Sequence, residues 1–251
     1  MRQIQTGREK GLSRETIKYI AMAAMLLNHI ANVFLTPGTV LCEVFLDIGY
    51  FTAVTMCCFL AEGYRYTSSP GRYALRLFLF AAVSQLPYNL ALTENGVLSF
   101  TGLNMMFTLF VCFLIILAND KVQNRFLKAA AILALTLLTV ISDWPVLAPI
   151  FTLLFIRADG DRTRIKNAFA LIFPIFALFD FIGRTGLVPL WQNVFMSLCA
   201  ASGIALSGVC IVYAYNGRRG RHTGAFSKWF FFFFYPAHLL ALGLIRLAVS
   251  G

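Results

Sequence analysis

IKYIAMAAMLLNHIANVFL, residues 17–35, is the stretch that decides the fold, because it is long and apolar enough to cross a bilayer as a helix. It nevertheless contains His29, an ionisable side chain that is costly in hydrocarbon unless the protein uses or pairs it. His238 has a comparable place in the last apolar stretch, residues 229–249. This pattern predicts a membrane protein with a polar site in its interior.

The composition fits a membrane setting along the whole chain. Hydrophobic residues occupy 59% of the 251 positions, 25 residues are Phe and only 13% are charged, and the mean hydropathy is +0.75. A soluble domain could not bury that much apolar surface. The apolar stretches cover residues 17–35, 40–61, 73–92, 97–118, 126–142, 144–156, 165–182, 190–215 and 229–249. We therefore expect an all-α, polytopic bundle of about nine transmembrane helices, with residues 1–251 as one integral membrane domain.

The sixth stretch, residues 144–156, is short for a complete crossing. Residues 142–145, Ser-Asp-Trp-Pro, have the composition of a tight turn that joins it to the fifth stretch. A tilted or half-inserted helix is therefore the alternative to a full span here.

Basic residues predict the orientation. Nineteen of the 21 lysines and arginines lie in alternate gaps between the stretches, and Arg184 and Arg246 are the exceptions. Because Lys and Arg near helix ends are retained on the cytoplasmic side, we expect nine crossings of the inner membrane and an inside N-terminus. The net charge of +10 is then mainly a topology signal. Without a soluble basic domain, we expect no nucleic-acid partner.

Polar side chains from five stretches have similar depths below the predicted outer boundary. His29, Asp47, Gln85 and Asn104 lie about 10 Å deep when counted from the stretch ends, and His238 lies somewhat deeper. Since polar groups in hydrocarbon need partners, we expect these groups to converge inside the bundle. The alternative is that they only hold helices together through hydrogen bonds.

Cations mark the opposite end of the same helices. Lys18 precedes His29 by eleven residues, which places both on one helix face about 16 Å apart. Arg72 and Arg76 form a second pair with i, i+4 spacing. Glu62 and Arg65 close the second stretch. Together these residues could hold phosphate groups, and simple anchoring on the positive side is the alternative.

Four motifs resemble the TraX family. They are Leu27 to Phe34 (LNHIANVF), Leu60 to Thr67 (LAEGYRYT), Asn104 to Leu109 (NMMFTL) and Phe234 to Leu239 (FYPAHL), in the same order and nearly end to end. The resemblance implies an integral membrane protein related to acetylation of a pilin N-terminus. The spacing between Lys18 and His29 is also similar to that of membrane acyltransferases that use cytoplasmic acyl-CoA. Two positions depart from the pattern, Asn28 where the family usually has Asp and Tyr50 where it often has a basic residue.

A membrane acetyltransferase that moves an acetyl group from acetyl-CoA to an amine or hydroxyl is the leading hypothesis. The acceptor would be a pilin-like amine or a surface-glycan hydroxyl at or beyond the outer face. His29 would act as general base or carry the acetyl group, oriented by Asp47 or Asn28. Asn104 and His238 would stabilise the oxyanion. Residues expected to bind acetyl-CoA are Lys18, Glu62, Arg65, Arg72 and Arg76.

Other classes remain open from the sequence. A proton-coupled transporter would use the same histidines and Asp47 as a relay. A noncatalytic assembly partner would use the polar layer only for helix packing. The six cysteines lie in apolar stretches without Cys-x-x-Cys spacing, so we expect no metal site. His222, in a basic loop, is expected to be a solvated side chain.

Overall fold

The computed structural model describes residues 11–93, 98–218, 220 and 225–250. Within these residues it contains helices and turns and no extended strand. The helices are α1 (Arg14–Phe34), α2 (Val40–Tyr66), α3 (Pro70–Leu92), α4 (Met105–Lys121), α5 (Arg125–Leu138), α6 (Leu147–Ala158), α7 (Arg162–Gly183), α8 (Leu190–Val209) and α9 (Ala225–Ser250). A 3₁₀ turn, Thr139–Ile141, follows α5, and a π-helical turn, Cys210–Ala214, extends α8.

Six helices of the described chain are long and apolar enough to cross a membrane. They are α1, α2, α3, α7, α8 with its π turn, and α9. The protein is therefore an all-helical, multi-pass membrane protein, as the sequence predicted. The number of nine crossings and the side of the N-terminus stay predictions.

The helix α5 shows how the surface suits lipid. It buries none of its own residues, and Phe126 and Leu133 are 72% and 60% exposed. Water would make such a surface an aggregation hazard, whereas hydrocarbon solvates it at little cost. We infer that α5 contacts the bilayer along most of its circumference.

The helix ends agree closely with the ends of the predicted apolar stretches, except at the start of the fourth stretch. That stretch was expected to begin at residue 97, but α4 begins at Met105 and Asn104 is its N-cap. The prediction was wrong here because hydropathy averaged over residues 97–118 hides the local signal of Asn104, whose side chain takes the backbone N–H groups that a helix starting earlier would bond internally.

The chain forms two compact units. The first comprises Met1–Thr55 and Arg157–Thr223, so it holds α1, the first part of α2, α7 and α8. The second comprises Met56–Ile156 and Gly224–Gly251, so it holds the rest of α2, α3 to α6 and α9.

Close backbone approach defines the packing of the first unit. A Cβ at Gly203 of α8 would collide with the carbonyl oxygen of Asp47 in α2, and a Cβ at Gly49 would collide with the Asn28 side chain of α1. Thr52 Oγ1 donates to the Ala21 carbonyl at 2.7 Å. Small residues at crossings and hydroxyl-to-backbone bonds are the usual means of packing helices in a bilayer.

The second unit packs α3 against α9 along their length. Gly243 of α9 lies so close to Leu90 and Ala91 of α3 that a Cβ would be about 3 Å from both. Nearer their other ends, Phe80 of α3 packs its ring against Phe232 and Phe233 at centroid distances of 4.8 and 5.3 Å. The two helices are thus joined by a close backbone approach at one end and by aromatic packing toward the other.

Gly203→Ala should destabilise the first unit, although alanine favours a helix over glycine. The added methyl group meets the α2 backbone, which cannot rotate away, so we expect a loss of about 1–3 kcal/mol. Gly183→Ala is the matched control, because nothing lies within 4 Å of its Cβ position. Thermal unfolding of the purified protein in detergent measures the difference, and equal midpoints for the two variants would contradict the close contact.

Candidate functional site

His29 lies on the buried side of α1. It is 6% exposed, and Met22, two turns earlier on the same face of the helix, is 4% exposed. Lys18 lies on the same face, one turn before Met22, and is partly buried. The structure thus places a cation and an imidazole on one inward face of a membrane helix, about 16 Å apart along its axis.

Asn28 fixes α1 to α2 at the level of His29. Its Nδ2 donates to the Leu46 carbonyl of α2 at 3.4 Å, and its Oδ1 accepts from Asn32 Nδ2 at 3.1 Å. Gly49 leaves the room for this amide. An aspartate, which is usual here in the family resembled, could not donate to a carbonyl when ionised. The departure at Asn28 therefore suits the contact that this chain makes.

An ion cluster holds the ends of α2, α7 and α8 together; we call Glu43, Asp180, Arg184 and Ser197 the Arg184 cluster. Arg184 Nη2 lies 3.0 Å from Glu43 Oε2, and its Nε lies 2.9 Å from Asp180 Oδ2. Ser197 Oγ donates to the same Asp180 oxygen at 3.0 Å. The three charged side chains are only 12–20% exposed, so the ion pairs are weakly screened.

The Arg184 cluster contains more acidic groups than basic groups. Burial lowers the pKa of Arg184, but Asp180 and Glu43 outweigh that effect and raise it. Asp47, one turn beyond Glu43 on α2, also interacts electrostatically with these three residues. Two carboxylates therefore pair with one guanidinium and a third, Asp47, lies within its electrostatic influence, an arrangement that can hold or pass a proton.

Among the polar residues of this region, the sequence predicted a role for Asp47 but not for Glu43, Asp180 or Ser197. One signal was available, since Arg184 was an exception to the distribution of basic residues. An arginine on the sparsely basic side of a membrane protein indicates a partner, and Asp180 lies four residues before it.

Asn104 holds the second unit together at the start of α4. It is fully buried, and its Nδ2 donates to the Ala81 carbonyl at 2.8 Å and to Gln85 Oε1 at 2.9 Å. Its Oδ1 accepts from the N–H groups of Met106 and Phe107. This is the helix-joining role that the sequence left open for Asn104 and Gln85, and a contribution to an oxyanion site stays a prediction.

His238 is held by its own helix, α9. Its Nδ1 lies 2.7 Å from the Phe234 carbonyl, so Nδ1 carries the donated proton. The ring stacks on Phe234 at a centroid distance of 4.8 Å and meets the edge of Tyr235 at 5.7 Å. These contacts fix the ring orientation, which a histidine that acts on a substrate requires.

The remaining predicted cations lie at the α2–α3 connection. Arg65 is partly buried near the end of α2, close in sequence to Glu62, which is 2% exposed. Arg72 is exposed and its Nε donates to Ser69 Oγ at 2.9 Å. Arg76 lies 5.5 Å above the ring of Tyr73. The three arginines thus lie close together in the sequence, on either side of the short connection between α2 and α3.

The predicted residues divide between the units. Lys18, Asn28, His29 and Asp47 belong to the first unit; Glu62, Arg65, Arg72, Arg76, Asn104 and His238 belong to the second. Their convergence on a single layer stays a prediction. His222 lies outside the described residues.

Comparison with known proteins places nearly the whole chain in one family model. The model described as TraX protein matches residues 13–246. A curated relative, the "Probable fimbrial assembly protein FimC, serogroup H1" of Dichelobacter nodosus, is 28% identical over 233 residues, which cover 90% of this chain and 92% of the relative. No solved structure matches the chain.

Arg184→Ala should destabilise the first unit, because it leaves Glu43 and Asp180 largely buried without their cation. We expect a loss of roughly 3 kcal/mol. Arg246→Ala, which removes the other exceptional arginine, is the control. Combining Arg184→Ala with Glu43→Gln should recover part of the loss in a thermal unfolding assay, and a double variant weaker than Arg184→Ala alone would argue against the pairing.

Asn104→Ala should lower the free energy of unfolding by more than the loss of a helix cap alone. It removes two cap bonds, worth about 1 kcal/mol, and the two bonds from the Asn104 amide to Ala81 and Gln85, worth roughly another 1–2 kcal/mol; the bond from Asn104 N to Gln85 Oε1 remains. Asn124→Ala is the matched control, because exposed Asn124 makes the same pair of cap bonds to Phe126 and Leu127 at the start of α5. Equal losses in thermal stability would show that the bonds to α3 contribute nothing.

Proposed function

The chain belongs to the TraX protein family, and on that premise we propose that it is a membrane-embedded acetyltransferase of the cytoplasmic membrane. It moves an acetyl group from cytoplasmic acetyl-CoA to an amine or hydroxyl acceptor at or beyond the outer face. The observation that carries this proposal is the buried His29 within a membrane helix, on one face with Lys18.

His29 is the proposed general base. An imidazole has a pKa near neutrality, so it can take a proton and return it without a large free-energy cost. Asn28, bonded to the Leu46 carbonyl, holds the helix turn that carries the ring. Asp47 supplies a carboxylate in the same unit and is the candidate for orienting the imidazole.

The reaction balances with one proton moving through the imidazole. His29 takes a proton from the acceptor nitrogen or oxygen while that atom forms a bond to the acetyl carbon. The carbon–sulfur bond of the thioester breaks, and the proton returns to the coenzyme A thiolate. Transient attachment of the acetyl group to His29 is the alternative route. Asn104 and His238 are proposed to stabilise the oxyanion.

Lys18 is the proposed phosphate contact of the first unit, one charge on the same face as His29. The Arg65, Arg72 and Arg76 group, with neighbouring Glu62, is a separate candidate in the second unit. Arginine binds phosphate through paired N–H groups, and three arginines around one connection raise the local positive potential.

The name of one relative supports a class of acceptor. A protein of Dichelobacter nodosus that is similar over most of both chains is named as a probable fimbrial assembly protein. We therefore propose an acceptor that belongs to a pilus or fimbria, with the amine of a pilin-like protein preferred over a glycan hydroxyl. Labelled acetyl-CoA offered to membranes with a peptide amine or a polysaccharide distinguishes the two.

His29→Ala should lower acetyl transfer in membranes at least about 100-fold, because a positioned general base contributes that much. His29→Gln, which keeps a polar group of similar size, should be equally inactive. Ile30→Ala, the next residue on the same helix and also partly buried, is the control for packing. Transfer by both His29 variants at the rate of the native protein would remove His29 from the mechanism.

Acetyl-CoA binding tests the cations separately. Lys18→Ala and the double variant Arg72→Ala, Arg76→Ala should each weaken binding to the purified protein about tenfold or more, since each loses a charge-assisted bond to phosphate. Arg164→Ala with Lys166→Ala, at the exposed start of α7, controls for net charge. Losses as large in this control would indicate nonspecific attraction only.

The Arg184 cluster favours a second candidate, a proton-coupled transporter. Ionisable side chains inside a membrane protein often mark proton or ion pathways. Such a protein would move a labelled solute into proteoliposomes in response to a pH gradient without acyl-CoA. Flux that Asp47→Asn abolishes would favour the transporter, and acetyl transfer with no flux would favour the enzyme.

A further inference from the structure

Four aromatic rings pack together where the first turns of α9 lie beside α3. The ring centroid of Phe80 in α3 is 6.2, 4.8 and 5.3 Å from those of Trp229, Phe232 and Phe233 in α9. Phe80 and Phe232 are partly buried, whereas Trp229 and Phe233 are 41% and 58% exposed. We call these four residues the Trp229 cluster; its outer pair of rings leaves aromatic surface that another molecule can contact.

The guanidinium group of Arg76 belongs to the same region of the second unit. The helices α3 and α9 run in the same direction, because Phe232 lies beside Phe80 and Gly243, further along α9, lies beside the end of α3. Arg76 is one turn before Phe80 on the same face of α3, and Trp229 is about one turn before Phe232. Arg76 and Trp229 therefore lie at about the same level of the two helices.

Arg76 has a hydrogen-bond donor that the described part of the chain does not use. Its Nε is buried and has no hydrogen-bond partner there. Its guanidinium carbon lies 5.5 Å from the centre of the Tyr73 ring, a contact that orients the group without using its N–H bonds. A buried donor without an acceptor is unfavourable, so an oxygen atom from a ligand would stabilise it. Arg72, one turn earlier on α3, adds an exposed second cation.

We infer that the Trp229 cluster and Arg76 bind an adenosine phosphate, the nucleotide end of acetyl-CoA. Aromatic side chains bind a purine base by stacking, and arginine binds phosphate through charge-assisted N–H bonds. Rings alone would suit lipid, and cations alone would suit any anion, whereas the two together select a nucleotide. The inference rests on the proposed function, which requires acetyl-CoA but assigns only cations and Glu62 to its binding.

Adenosine diphosphate (ADP) is the probe, because it contains the base and the diphosphate of acetyl-CoA without the thioester. We expect labelled ADP to bind the purified full chain saturably in equilibrium dialysis, and acetyl-CoA to displace it. Adenosine lacks the phosphates and pyrophosphate lacks the base, so each should displace ADP about tenfold less effectively or worse. The site is overturned if ADP does not bind, if acetyl-CoA does not displace it, or if pyrophosphate displaces it as well as unlabelled ADP does.

Trp229→Leu keeps an apolar side chain without the ring, and it should weaken ADP binding about tenfold or more while pyrophosphate binding is unchanged. Arg76→Gln should weaken both. The controls are Trp191→Leu, at a tryptophan that is 73% exposed, and Arg125→Gln, at an arginine 4.9 Å from the centre of the Phe126 ring. Equal ADP affinity in Trp229→Leu and Trp191→Leu would show that the Trp229 ring only contacts the membrane surface. If Trp229→Leu does not fold, the comparison of ADP with pyrophosphate in the native chain decides.

Kinetics separate this site from the proposed function. ADP binding involves no acetyl group, so His29→Ala should bind ADP normally while it transfers nothing. Trp229→Leu should raise the KM for acetyl-CoA about tenfold or more with kcat nearly unchanged, because the nucleotide end is remote from the reacting carbon. ADP binding that depends on Trp229, without any acetyl transfer by the native chain, supports the nucleotide site and rejects the enzyme. Transfer with the same KM in Trp229→Leu and the native chain supports the enzyme and rejects the site.

Discussion

The constraint that governs this structure is the absence of water in hydrocarbon, which obliges each buried polar group to find its partner within the protein. Asn104 shows the consequence, because one side chain caps α4 and binds two groups of α3. The Arg184 cluster shows it for charges, since one guanidinium joins carboxylates from two helices. Apolar side chains cannot specify helix order in a solvent as apolar as themselves, so these polar contacts and the glycine crossings do so.

The same constraint bears on the proposed chemistry, because it determines which ionisable side chains a membrane helix retains. A histidine such as His29 is retained inside a membrane helix when the protein uses its proton or its hydrogen bonds. Its weakly polar surroundings strengthen the electrostatic interactions of each charged group in the unit. The two units contain different sets of polar and ionisable residues. The first has His29, Asp47 and the Arg184 cluster, and the second has Asn104, His238 and the arginines at the α2–α3 connection.

Local patterns in the sequence were sufficient for the helices. Hydrophobic stretches between basic or turn-forming segments predicted most helix ends to within a few residues, since length and apolarity alone determine what can cross a bilayer. The exception, the start of α4, depended on Asn104, whose side chain bonds decide where the helix begins. Among the candidate site residues, the burial of His29 and His238 followed from the cost of exposing an ionisable side chain to lipid, and the family followed from motifs spread over the chain.

The sequence by itself determined that this protein is a helical membrane protein of the TraX family with ionisable groups inside its spans. Only the tertiary structure decided which groups meet. Glu43 and Arg184 are separated by more than half of the chain, and Asp143 is bonded through its backbone to Leu103 and Thr108 only because the connection before α6 packs on the start of α4. Hydropathy is a property of each segment alone, whereas an ion pair or a binding site depends on which faces of different helices are brought together, and no single segment contains that information.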